Sequence, residues 1–579
     1  MINARKTIRQ RELPGTDNLP EELNPVLRRI YLARGVDSAG QLDLQLSVLH
    51  KPGSLGGIEA AAQRVAHAIQ AGEHILVVGD FDADGATGTA VAVKALKTMG
   101  AKTVTYCVPN RFEFGYGLSK ALVESIEAPY PDVLITVDNG ISSIDGTNAA
   151  TDLGVDVVIT DHHLPGPTLP RAFAIVNPNQ PGDEFPSKAI AGVGVVFYLV
   201  SQVRTVLRES GWFDKNTREP NLAGLLDLVA LGTVADLVPL DHNNRVLVHQ
   251  GIERIRRGRC VPGILALLNT AGRHHSGITA ADLGFAVAPR LNAAGRLEDM
   301  SIGIECLLAD NLDVAMEMAA RLDALNQERR ALQEQMQEEA LGFTADLISG
   351  LQDKAVPSGL CLFDPGWHQG VVGLVASRIK DAVHRPVIAF APENEGSSLL
   401  KGSARSIPGI HIRDVLANVD ANHPDMINAF GGHAMAAGLS LQHDQLGAFE
   451  SAYCQALDAV MEPHHLENVL LTDGGLGTED MTLETAMLLR SSGPWGQRFP
   501  EPVFEGQFAV LEQRIVGQRH LKMTVQPAGG DSLDAIAFNV SPRDLPENHD
   551  NVRLVYRLDV NEFRGRRSAQ LIVEYIPWQ

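Results

Sequence analysis

Short apolar runs alternate with helix-period stretches from about residue 49 to about residue 310. The runs His74–Gly79, Thr103–Val108, Val133–Val137, Val157–Thr160 and Ala174–Val176 are predicted strands. Helical stretches between strands are the mark of a parallel α/β sheet. The first four runs lead into Asp, Asn or His at their C-terminal ends, the edge where open α/β sheets bind ligands. Residues 313–350 carry no proline. They place Leu322, Leu325, Leu332, Met336 and Phe343 on one apolar stripe, which predicts a long connecting helix. A second, smaller α/β unit follows, with strands Gly359–Phe363 and Pro386–Ala391 and a helix near Val371–Val383. The end of the chain changes period. Phe508–Val516, Leu521–Val525, Ala535–Val540, Val552–Val560 and Ala569–Tyr575 read as five strands of a small barrel such as an OB-fold. The expected fold is therefore multidomain α/β plus a β-barrel. It divides into a polar leader with a short helix near Glu22–Ala33 (1–48), a parallel-sheet domain (49–312), a long helix (313–350), a second α/β domain (351–460) and the barrel (461–579).

Composition changes this picture little. A chain of 579 residues with 45% apolar positions can bury several cores. The N-terminus has no apolar stretch of signal-peptide length, and Ala189–Val200 is too short to cross a bilayer. Five dispersed cysteines fit a reducing cytoplasm better than a disulfide framework. Net charge is −21, which by itself opposes a phosphate-rich partner. Basic residues nevertheless gather locally. Arg553, Arg557, Arg564, Arg566 and Arg567 outnumber the acidic residues of 551–579, and Arg514, Arg519 and Lys522 lie on earlier runs. Of the interleaved Phe508, Phe538, Tyr556 and Phe563, most are expected in the barrel core. The Arg564–Arg567 turn is the better nucleic-acid contact.

The strongest chemical signal is Asp80-Phe-Asp82-Ala-Asp84-Gly85 directly after a strand. In extended backbone alternate side chains point the same way, so three carboxylates converge. Hard divalent cations resolve the resulting repulsion. Gly85 and Gly88 allow a tight turn and close approach of a substrate. An EF-hand loop begins similarly, but the position that would carry its Glu is Val91. Asp138-Asn-Gly, Asp161-His162-His163 and Gly232-Thr-Val-Ala-Asp236 add further ligand types after apolar runs. Imidazole with carboxylates suits Mn²⁺ or another first-row ion better than Ca²⁺.

With these motifs the chain resembles the DHH phosphoesterase superfamily. Longer strings resemble its branch of single-strand-specific 5′→3′ exonucleases: Val-Pro-Asn-Arg-Phe-Glu (108–113), Gly-Thr-Val-Ala-Asp-Leu-Val-Pro-Leu (232–240), Pro-Arg-Leu-Asn-Ala-Ala-Gly-Arg (289–296) and Trp-His-Gln-Gly-Val-Val-Gly (367–373). The resemblance implies two divalent cations, Mn²⁺ or Mg²⁺. Asp82 and Asp84 would hold them, Asp138 would bridge them, and His162 and Asp236 would bind the second. Asp80 would stand at the metal site. His163 would contact the scissile phosphate or leaving group, making His163, Asp138 and Asp84 the catalytic residues. Arginine forks match phosphate oxygens, and Arg111, Arg290, Arg296, Arg378 and Arg405 are the candidates. The second α/β unit resembles the DHHA1 domain, with Ser403 and His433 of Gly431-Gly-His433 added as contacts. Arg564 and Arg566 would serve the barrel. The implied substrate is single-stranded DNA, with single-stranded-DNA-binding protein and a RecQ-type helicase as partners of a cytoplasmic monomer in repair and recombination. Two alternatives stand beside this: a DHH phosphodiesterase of short oligoribonucleotides or cyclic dinucleotides, and a non-catalytic nucleic-acid-binding relative. Removing residues 465–579 is expected to weaken binding and leave the metal site intact.

Overall fold

The five apolar runs of the first region are all strands, and all pair in parallel. They are β1 (His74–Gly79), β2 (Thr103–Cys107), β3 (Val133–Val137), β4 (Asp156–Thr160) and β5 (Ala174–Val176), in the order β2-β1-β3-β4-β5. β3 is buried throughout and β1 nearly so, as in a parallel sheet covered on both faces. Strand order reverses between β1 and β3, so the crevice beyond their C-terminal ends is a topological switch point, where such sheets bind ligands. Helices α1 (Ala83–Thr98), α2 (Gly192–Glu209), α3 (Leu226–Ala235) and α4 (Ala288–Leu297) surround that crevice.

The computed structural model describes residues 6–110, 114–215, 217–352, 357–394, 396–432, 434–517, 519–540, 550–563 and 565–577. They form two units. The first comprises Leu13–Arg329 with Met487–Glu501, and the second comprises Arg330–Ala486 and Pro502–Gln579 with the chain start up to Glu12. The long helix is α5 (Leu312–Gln352). Its predicted stripe is only partly used: Leu322 and Leu325 are buried in the first unit, whereas Leu332 is exposed.

In the second unit β6 (Leu360–Phe363) and β7 (Val387–Pro392) match the two expected strands. Three more complete the sheet: β8 (Leu399–Arg405), β9 (Ala429–Gly432) and β10 (Ala436–Gln442), in the order β9-β10-β8-β7-β6. These three contain glycine and polar residues of low strand propensity, so antiparallel pairing rather than sequence preference makes them strands. Val387, Ala389 and Ala391 of β7 pack on α6 (Gln369–Val383). Ile388 and Phe390 face the opposite core.

The C-terminal runs are β11 (Phe504–Val516), β12 (His520–Pro527), β13 (Leu533–Ala537), β14 (Asn551–Phe563) and β15 (Arg566–Tyr575). They close as a barrel in the order β11-β12-β13-β15-β14. Phe504, Phe508 and Tyr556 fill it, while Phe538 and Phe563 lie outside.

Two segments depart from expectation. The polar leader is packed: Thr7–Gln10 pairs in parallel with Val469–Thr472, and Leu19, Val26, Leu27 and Ile30 are buried. Residues 487–501 form a strap on the first unit instead of an opening to the barrel. Trp495 and Phe499 stack with Tyr31 at 6.1 and 6.3 Å, and the Arg245 guanidinium sits 4.4 Å over the Phe499 ring.

Candidate metal centre

Asp80 leaves β1 into the crevice, but the chain turns at once. Asp82 is the N-cap of α1, its Oδ1 accepting from the Gly85 N–H at 2.9 Å, and Asp84 lies in the first helical turn. The three carboxylates therefore gather through a strand-to-helix turn, not through strand alternation. Gly85 and Gly88 serve this turn rather than a substrate. A Cβ on Gly85 would lie 2.5 Å from the Asp80 carbonyl oxygen, and one on Gly88 2.5 Å from Val137 Cγ1.

Asp138 follows β3 with φ 62°, a left-handed conformation that Asp tolerates better than most residues. That turn aims Oδ1 at His162 Nε2, 3.0 Å away. Asp236 is the C-cap of α3, so this ligand type comes from a helix end and not a strand end; its Oδ2 is 3.4 Å from the same nitrogen. Three overlapping clusters could hold an ion: Asp84, His162 and Asp236; Asp80, Asp82 and Asp138; and Asp138, His162 and His163.

The donor atoms themselves test whether ions fit. Asp80 Oδ1, Asp138 Oδ1, His162 Nε2 and Asp236 Oδ2 are buried and make no well-formed hydrogen bond, although His162 Nε2 lies 3.0 and 3.4 Å from the Asp138 and Asp236 oxygens. Stranding four polar atoms in one crevice is costly. Divalent cations held in these clusters would satisfy them, with the oxygen and imidazole donors that Mn²⁺ accepts.

Electrostatics agree. Burial, then repulsion from Asp82, raises Asp80 to about 8 and Asp84 to about 7. Burial, then Asp84 and Asp82, raises Asp236 to about 9. Burial pushes His162 down to about 4, leaving a neutral ring suited to ligation. His163 behaves oppositely. Burial opposes its charge, but the hydrogen bond of its Nδ1 to Asp161 Oδ1 at 2.8 Å wins and raises it to about 9. That contact favours the protonated ring.

These shifts predict a pH-dependent stability. Asp80, Asp84 and Asp236 hold protons in the metal-free fold up to pH about 7 to 9, while the unfolded chain loses them near pH ~4. The fold binds more protons across that window, so its stability falls as pH rises through it. Metal must displace those protons, so its benefit grows with pH. Thermal denaturation in EDTA and in Mn²⁺ between pH ~5 and ~9 checks this. A metal-induced gain in Tm that is flat across the range contradicts it.

The structure gives Asp161 a role other than the ligand type read for it, and it brings in residues that the sequence did not single out. Asp161 accepts from the backbone N–H groups of Ile141, His162 and His163 as well as from the His163 ring. Asn177 and Asn179 donate to the carbonyls of His163 and His162 at 2.9 and 2.6 Å. Asn292 Oδ1 accepts from the Ala83 N–H, fixing the start of α1. Tyr116 stands edge-on to both Phe81 and His163. Of these, only Asn292 lies in one of the strings quoted from the sequence, 289–296.

The arginines divide. Arg296 is exposed, and its charge partly offsets the upward shift that burial gives Asp82. Arg290 is buried, with Nη2 2.8 Å from Asp323 and Nη1 donating to the Ala286 carbonyl. Its two Nη groups are committed inside the fold and its Nε is buried, which does not suit the phosphate contact expected of it. In the second unit Arg405 donates to Ser403 Oγ at 2.8 Å beside Gly373, whose missing Cβ leaves it room. Arg378 is half-buried on α6, and burial lowers its pKa. Among the described residues neither Arg378 nor Arg405 has a carboxylate partner. Arg566 is exposed beyond the β14–β15 turn. Arg111, His433 and Arg564 lie outside the described residues.

Fold and donor set are those of a metal-dependent phosphoesterase built on a DHH domain. The DHH family N-terminal domain matches residues 74–233, the DHHA1 domain 355–459 and the RecJ OB domain 472–575. The chain is 52% identical over 572 residues to the single-stranded-DNA-specific exonuclease RecJ of Escherichia coli, covering 98% of both chains. It is 50% identical to that of Haemophilus influenzae, covering 99% of both. The crystal structure of RecJ in complex with Mn²⁺ from Thermus thermophilus superposes with a TM-score of 0.73 at 28% identity, covering 98% of this chain and 79% of that one. The chain belongs to the RecJ family of single-stranded-DNA-specific exonucleases.

Proposed function

We propose that this chain hydrolyses single-stranded DNA from the 5′ end, releasing mononucleotides, in DNA repair and recombination. The carrying observation is the set of buried oxygen and imidazole atoms at the switch point, from Asp80, Asp138, His162 and Asp236, that make no well-formed hydrogen bond, beside a His163 ring held by Asp161. On this reading Asp80, Asp82, Asp84, Asp138, His162 and Asp236 hold two divalent ions, Mn²⁺ or Mg²⁺. Ions held there make water nucleophilic near neutral pH and neutralise phosphoryl charge during in-line displacement.

The protein's own groups supply the rest. Asp161 keeps His163 protonated and oriented, so its ring can donate to the oxygen that develops charge as the ester bond breaks. Arg296 is placed to meet a substrate phosphate. Arg378, Ser403 and Arg405 give the DHHA1-type domain (351–460) an anion-binding set, and Arg566 gives the barrel one. No helix among the described residues is long and apolar enough to cross a membrane. The reading places the protein in the cytoplasm as a monomer, working with a single-stranded-DNA-binding protein and a RecQ-type helicase.

The test is a long single strand labelled at each end in turn, digested with Mn²⁺. A 5′ label is expected to appear at once as a mononucleotide, with blunt duplex a poor substrate and EDTA abolishing turnover. Early release of the 3′ label overturns the polarity. Preference for strands of a few nucleotides supports a short-oligonucleotide phosphodiesterase instead.

A further inference from the structure

Two of the most exposed apolar side chains of the first unit lie on elements that lead to the metal centre, Leu237 directly after Asp236 and Phe285 in the turn that runs into α4, and each sits on unusual backbone. Leu237 follows the candidate ligand Asp236, has φ 59° and is 67% exposed. A left-handed leucine is strained, and such strain is retained mainly where a function needs it. Phe285 is 77% exposed and lies in a π-helical turn, Leu283–Val287. Turns of this kind also concentrate at functional sites.

The two features are linked through α3. Gly284, next to Phe285, packs so closely on α3 that a Cβ there would lie 3.2 Å from Val234 Cγ1. Val234 is in the last turn of α3, which Asp236 ends. The π turn is also braced from below. The buried Arg290 guanidinium donates to the Ala286 carbonyl and pairs with Asp323 at 2.8 Å. The π turn runs into α4, which lies against the metal-site loop: a Cβ on Gly295 would stand 1.8 Å from the Phe81 carbonyl oxygen. Arg290, committed inside the fold, thus holds the turn that presents Phe285.

We propose that Phe285 and Leu237 form an apolar rim on which a nucleobase of the substrate strand stacks beside the metal centre. This rests on the single-strand exonuclease reading and adds a positioning contact to it. The scissile phosphate is drawn to the ions and to Arg296, so its neighbouring bases must lie against whatever walls the crevice. An apolar wall serves every base, because each has a π-face, and it imposes no sequence preference.

The experiment uses the full-length protein with Mn²⁺ and single strands carrying one abasic residue one, two or three nucleotides from the cleaved end. At one register the abasic substrate is expected to raise the wild-type KM about tenfold, within the usual range for base–aromatic stacking. Phe285→Ala is expected to raise KM on the intact strand by a similar factor, with kcat reduced far less. On the matching abasic strand the variant and the wild type should converge. Phe285→Trp should retain the intact-strand KM. Leu237→Gly separates function from folding: it should raise KM yet raise Tm as well, since glycine removes the left-handed strain. Multiplicative effects of Phe285→Ala and the abasic residue at every register overturn the proposal. A lowered Tm for Leu237→Gly removes Leu237 from the rim. A wild-type protein that cleaves no intact strand defeats the exonuclease reading itself, and this inference with it.

Discussion

Asp138→Asn lowers the hydrolysis rate by several orders of magnitude, yet leaves the metal-free fold at least as stable as the wild type. Asp138 is buried, and burial with repulsion from Asp84, Asp82, Asp236 and Asp80 drives its pKa well above the ordinary carboxylate range. Its Oδ1 lies 3.0 Å from His162 Nε2, and it belongs to two of the three overlapping candidate ion clusters. Removing the negative charge weakens the hold on both ions and relieves the crowded carboxylates when no ion is there. Asparagine is the informative replacement because it tolerates φ 62° nearly as well as aspartate, whereas alanine adds backbone strain. Two measurements check this: turnover of a single strand in Mn²⁺, and Tm with EDTA and with Mn²⁺. The variant should lose the Mn²⁺-induced gain in Tm. Near-normal turnover, or a metal-induced gain equal to that of the wild type, overturns the two-ion reading.

What the sequence made legible follows from the range of each signal. Val133–Val137 and His74–Gly79 are short apolar runs ending in acidic residues, so both the strands and their ligand-bearing ends are local patterns. Convergence of Asp80, Asp82 and Asp84 was expected correctly but for the wrong reason, because the start of α1 depends on capping by Asp82 and Asn292. Asp236 looked like a strand end because Leu231–Val234 is apolar on every side; only the burial of α3 makes such a run helical. Asp161 was read only as a ligand type beside His162 and His163, because its role is set by four donors, three of them backbone N–H groups with no trace in residue type. Arg290 was expected to meet phosphate, but Asp323, far along the chain, takes its charge. The leader looked polar because its buried residues are spaced among charged ones, and their partners, Trp495 and Phe499, lie hundreds of residues away.

That last pairing decides how the C-terminal region can be removed. Deleting residues 465–579 was expected to spare the metal site, but it also takes away the strap 487–501, which belongs to the first unit. Phe499 is 4% exposed and stacks on Trp495 at 5.3 Å. It is also the ring beneath Arg245, a buried cation whose pKa is lowered chiefly by desolvation. The Leu240 N–H donates to the Gln497 carbonyl at 2.8 Å, tying the strap to the chain just after Asp236. Phe499→Ala therefore opens a cavity and uncovers a desolvated charge, and should destabilise the first unit by about 4 kcal/mol. Against a typical total of roughly 5–15 kcal/mol that is a severe loss. A chain ending at residue 464 should show the same defect more strongly, with metal-dependent turnover lost through unfolding. A chain ending at residue 501 keeps the strap. It should retain kcat while KM on long strands rises, and each lost phosphate contact should flatten the slope of log affinity against log salt by about 0.7. Circular dichroism and turnover on the two truncations separate these effects. Equal folding and equal kcat for both chains would show that the strap contributes nothing to the catalytic unit.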